Sequence, residues 1–119
     1  MQPDRSTALM LVHRYIKNEK MIFHCLASEA VMRRLAERLG YDPDTWGLAG
    51  LLHDLDVETT QADPLVHGTQ TEVLLKDHDV DPEVLDAIRM HNECSAGKER
   101  STVFQHALAV VIGDQRGRL

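Results

Sequence analysis

"GLAGLLHDLDVE", Gly47 to Glu58, sets a histidine and an aspartate side by side at the end of an apolar, small-residue run. A carboxylate withdrawn from water without a partner costs on the order of several kcal/mol, so His53 and Asp54 need a reason to be there. Gly47, Ala49 and Gly50 remove side-chain bulk and let a second helix approach closely, while Trp46 fills the remaining space. This predicts a central helix with His53 and Asp54 emerging from its end at the bottom of a helical bundle.

The flanking sequence supports an all-α fold. Alternating β-branched runs are absent, and most segments carry apolar residues at helical spacing. Asp42-Pro43 and Asp81-Pro82 mark helix starts, Asp63-Pro64 less cleanly, since Asp caps orphan N–H groups and Pro is preset for the first turn. The spacing predicts helices over Ser6–Lys17, Glu19–Leu39, Pro43–Asp54, His67–Lys76, Pro82–Asn92 and Arg100–Ile112, with Gly40 stopping the second. No internal repeat, linker or low-complexity segment interrupts them.

At 119 residues the chain is expected to be one domain. A net charge of −6 argues against binding to nucleic acid or to an anionic membrane, both of which need a surplus of Lys and Arg. An acidic protein that handles phosphates usually enlists a metal, and the chain has seven histidines. Cys25 and Cys94 have no spacing of a disulfide framework, which fits a reducing compartment. The N-terminal apolar run, Ala8 to Val12, is too short for a signal-peptide core or a membrane span, so a cytoplasmic protein is expected.

Three histidines lie on inward stripes. His24 goes with Ala27, Ser28 and Val31, His53 with Trp46, Ala49 and Gly50, and His91 with Val84 and Ile88. His13, with Leu9 and Ile16, and His106, between Val103 and Val110, share the pattern, so spacing alone does not select ligands. His78 reads as solvated. His53-Asp54 stands apart, because adjacent helical residues diverge by about 100° and one apolar face cannot accept both. A divalent cation satisfies imidazole and carboxylate together. The alternative is an exposed helix end, with Asp54 in water and His53 against the helix dipole.

Taken together, "FHCLASEAVMRRLAERLG", "WGLAGLLHDLD", "DPLVHG" and "IRMHN", spread between Met10 and Glu93, resemble the HD-domain superfamily of metal-dependent phosphohydrolases. The resemblance implies an HD-domain-like bundle of about six helices. It implies metal ligands at His24, His53 and Asp54, and a second metal or a phosphate at His67 and His91. The cofactor would be a divalent metal: Mn, Fe, Ni, Zn or Mg. Asp56 and Glu58 are candidates for positioning or deprotonating the attacking water, with Asp54 as the catalytic ligand.

The family's last ligand aspartate follows an Ala-Leu pair by four residues, which here is Ile112. The nearby carboxylate is Asp114. It lies about 200° further round a helix and is a ligand only if the helix unwinds at Gly113. Family members commonly continue into further helices, so a truncated, frame-altered or divergent end is expected, and an apolar helix left uncovered there would self-associate as a symmetric dimer.

The resulting expectation is a phosphohydrolase acting on a phosphomonoester or a nucleotide-type molecule through metal-activated water. Its partner is a small phosphorylated molecule. One alternative is a metal- or nucleotide-binding regulatory module without turnover, its last aspartate displaced. The other is a metal-free helical interaction domain.

Overall fold

Cap residues decide where four of the described helices begin. The computed structural model describes residues 4–56, 58, 69–76, 78–90 and 102–115, with the backbone alone for 69, 70, 72 and 110–115. Helix α1 (Arg5–Tyr15) starts one residue before the expected Ser6, because the Asp4 carboxylate accepts the Thr7 N–H at 2.8 Å. It ends before Lys17, where Ile16 turns extended and becomes fully buried. Helix α2 (Glu19–Leu39) has the expected limits. Asn18 accepts the N–H groups of Lys20 and Met21, and Gly40 closes the far end at φ 83°, a left-handed conformation natural to glycine.

Helix α3 (Pro43–Leu52) opens as the Asp-Pro pair predicts. Asp42 accepts both the Asp44 N–H and the Thr45 hydroxyl. Every residue from Thr45 to Leu52 is buried, as expected of a helix surrounded on all sides. It stops two residues short of Asp54, and 53–56 form turns.

Helices α4 (Thr69–Leu75), α5 (Pro82–Met90) and α6 (Val103–Gln115) complete the set. The expected ends at His67 and Asn92 fall outside the described residues. Helix α6 begins after Arg100 because Thr102 and Gln105 form a capping box. The Gln105 N–H donates to Thr102 Oγ1 at 3.1 Å, and the Thr102 N–H to Gln105 Oε1 at 3.2 Å. It runs beyond Ile112 and through Gly113. Among the described residues there are six helices and no strand, and none of the helices is long and apolar enough to cross a membrane.

The bundle is organised around α3, which lies chiefly on α2 and also touches α1, α5 and α6. Gly50 allows the closest approach. A Cβ there would sit 2.7 Å from the Ser28 carbonyl oxygen and 3.0 Å from the Glu29 nitrogen, closer than real Cβ atoms come to backbone. Trp46 is stacked between Tyr41 and Phe104, with ring centres 4.9 and 5.0 Å away, which holds the start of α6 against α3. Glu29, buried on α2, takes a two-point bond from Arg5 of α1 at 2.7 and 2.9 Å and a longer one from Arg33. Arg33 in turn reaches Asp44 of α3 at 2.7 Å. Ionic contacts thus link the three helices that set the register of the site.

Candidate metal centre

The α2–α3 contact brings His24 to the end of α3. The buried stripe of α2 runs Cys25, Ser28, Met32 and Ala36, one position round from the expected stripe, and Val31 is 45% exposed. His24 therefore sits at the edge of the buried face, its side chain 15% exposed, while His53 and Asp54 are fully buried. His53 caps the end of α3 with helical dihedrals (φ −63°, ψ −24°), and Asp54 lies in the turn that follows.

Three donor atoms converge there. His24 Nε2, His53 Nε2 and Asp54 Oδ2 are each 3.1 Å from the other two. His53 Nδ1 donates to the Gly50 carbonyl at 2.7 Å, so in the neutral ring Nε2 carries the lone pair and faces the other two donors. Protonating both imidazoles would set two like charges at nitrogens 3.1 Å apart, whereas one divalent cation meets all three groups. Donors about 2.1 Å from a shared ion and about 90° apart lie about 3.0 Å from each other, against about 3.4 Å at a tetrahedral angle. The observed edges match one face of an octahedral set, so these residues fit a divalent metal. Among the described residues, His24, His53 and Asp54 are the group that can hold one.

The HD domain family matches residues 21–113 of the chain, which include all three donors. The chain belongs to the HD-domain family. Its domain type is that of a superfamily of metal-dependent phosphohydrolases, and HD domains generally bind divalent metals. No curated protein matches the chain.

The other candidate residues of this HD domain divide by position. Asp56 is buried and bonded reciprocally to Thr71: its N–H donates to Thr71 Oγ1 at 3.1 Å, and its Oδ2 accepts the Thr71 N–H at 3.0 Å. Glu58 is exposed, and one of its oxygens accepts the N–H groups of Lys17 and Asn18 at 2.8 and 2.9 Å. Both carboxylates that the sequence offers as water bases are thus engaged with backbone. His67 and His91 lie outside the described residues. Asp114 belongs to α6, whose backbone stays helical through Gly113, so the unwinding that would make it a ligand does not occur. Its side chain lies outside the described residues.

His13 and His106 are exposed and His78 is half-buried, so among the described histidines burial sets His53, and less fully His24, apart from His13 and His106. Cys25 follows His24 on the buried stripe. Burial pushes its thiol well above the usual range, and the nearby Asp54 charge pushes the same way, so it stays protonated and is no thiolate donor. Gly50 admits α2 as the sequence predicts, and it also orients His53 through its carbonyl, which no side-chain pattern signals. Thr71, which holds Asp56, is a residue of this HD domain's site that no local pattern signals.

Proposed function

We propose that this HD domain is a metal-dependent phosphohydrolase whose substrate is a phosphomonoester or nucleotide-type molecule. The observation that supports it is the convergence of His24, His53 and Asp54 at 3.1 Å edges in a buried turn. These three residues would hold a divalent ion, Mn, Fe, Ni, Zn or Mg. When bound, such an ion acidifies water and polarises a phosphoryl oxygen. The chain's own part is to present two imidazole lone pairs and one carboxylate, to fix the His53 tautomer through Gly50, and to keep Asp54 out of solvent. His67 and His91 would add a second metal site or contacts to the phosphate. Asp56 and Glu58 would act on the site by holding its turn.

A second reading, a binding module without turnover, is favoured by one feature: α6 remains helical through Gly113, leaving Asp114 two positions from the slot that the family fills with its last aspartate. Turnover by metal-loaded protein separates the two readings.

Protein purified without chelator should carry one of these metals, or gain thermal stability when one is added, because a ligand that prefers the native state must raise its stability. Asp54→Ala should lose the metal. A chain that neither carries nor responds to any of the five ions refutes both readings.

A further inference from the structure

The turn that carries His53 and Asp54 is shaped by a contact from another helix. An α-helix continuing past Leu52 would give the Asp56 N–H to the Leu52 carbonyl, four residues back. Instead the Leu55 N–H takes that carbonyl at 3.3 Å, and the Asp56 N–H goes to Thr71 Oγ1 in the first turn of α4. The exchange is mutual, since Asp56 Oδ2 accepts the Thr71 N–H, which has no partner within its own helix that early. Both residues are fully buried, where leaving either group unmade would be costly. Glu58 fastens the segment further along, at the two N–H groups just before α2.

We propose that Asp56 and Thr71 are a positioning pair that ends α3 at Leu52, so that His53 and Asp54 both turn toward His24. His53 keeps helical dihedrals (φ −63°, ψ −24°), so the chain leaves the helix path only after it, in the segment that Asp56 and Thr71 hold. Asp56 then works through the ligands rather than on the substrate. The inference rests on the metal reading of His24, His53 and Asp54.

Three variants of the full chain test it, with Mn(II) affinity measured by calorimetry and the metal-free melting temperature measured alongside. Thr71→Val removes the hydroxyl at nearly constant volume, Thr71→Ser keeps it, and Asp56→Asn keeps an oxygen for the Thr71 N–H. Thr71→Val should lose about 10- to 100-fold in Mn(II) affinity, as when a residue supporting a metal ligand is removed, while the other two stay within about threefold of wild type. A Thr71→Val protein that melts lower but binds Mn(II) as wild type does would make the contact purely structural and overturn the inference. So would Asp56→Asn abolishing hydrolysis of p-nitrophenyl phosphate while Thr71→Val keeps full metal affinity, since Asp56 would then act on the substrate. Where wild type prefers another of the five ions, the comparison is made with that ion; wild-type protein that binds none of them overturns the metal reading itself, and the inference falls with it.

Discussion

Replacing Gly50 with alanine should separate α2 from α3 and loosen the site between them. The added Cβ would lie 2.7 Å from the Ser28 carbonyl oxygen, 2.8 Å from its carbon and 3.0 Å from the Glu29 nitrogen, all backbone atoms that no rotamer change can move. Restoring ordinary contact at 3.4 Å requires a separation of about 0.7 Å, and overpacking of this kind costs about 1–3 kcal/mol. Alanine returns about 1 kcal/mol through its better helix propensity, leaving a net loss of up to about 2 kcal/mol. With an unfolding entropy of about 2.1 cal/mol/K per residue, that lowers the melting temperature by up to about 8 °C. The same displacement moves the carbonyl that orients His53 away from the helix that carries His24, so Mn(II) affinity should fall by about tenfold or more. Gly47→Ala is the control. Its Cβ would meet only the Arg33 side chain, at 2.7 Å, and that flexible chain can move aside. Calorimetric melting and Mn(II) titration of both variants measure the two effects. A Gly50→Ala protein that melts and binds as Gly47→Ala does would refute the close approach as the device that builds the site.

Three further outcomes follow from the geometry. Burial alone would raise the Glu29 carboxyl, but its bonds and charge interactions with Arg5 and Arg33 outweigh this and hold it below the usual range. The stability it contributes is therefore present above the unfolded value of about 4.3 and is lost as pH falls through the lower folded value, so Glu29→Gln should flatten the acid limb of a melting-temperature profile. Cys25 should resist alkylation at pH 8 until the protein unfolds, read by peptide mass spectrometry, because its thiol is buried and held protonated; rapid labelling under native conditions would contradict this. Thr102→Ala removes the hydroxyl that accepts the Gln105 N–H and should cost about 1 kcal/mol in urea unfolding, as loss of a helix cap does.

The sequence made the bundle legible because its signals are local. Asp42-Pro43 and Gly40 act on the few residues around them, and the apolar run around Ala49 reads as a surrounded helix however its neighbours are arranged. His53-Asp54 was legible for a similar reason, since a charge beside an apolar run has few uses. Where the reading slipped, the deciding partner was distant in sequence. The end of α3 depends on Thr71, fifteen residues beyond Asp56, and periodicity within α3 carries no trace of it. The stripe on α2 was set one position off because His24 and Cys25 both suit an inward face, and only the contact between Gly50 and Ser28 decides the rotation. The capping box at Thr102 was legible, because Thr and Gln three apart are its signature, yet the apolar pattern alone put the helix start at Arg100.

Charge around the site bears on what an anionic substrate would meet. Two neutral imidazoles and one carboxylate contribute a single negative charge, so a divalent ion held by these three residues leaves the centre positive by one. The two arginines near the α2–α3 contact do not add to this, because Arg5 is bonded to Glu29 and Arg33 to both Glu29 and Asp44. With the whole chain at −6, net charge adds no general attraction for phosphate, which a metal centre would supply. A fourth carboxylate would tighten hold on the metal and cancel that surplus. Three donors hold the ion less firmly but leave it a charge with which to draw a phosphate in. A binding module built on the same three residues would share this balance, so turnover, and not charge, separates it from a hydrolase.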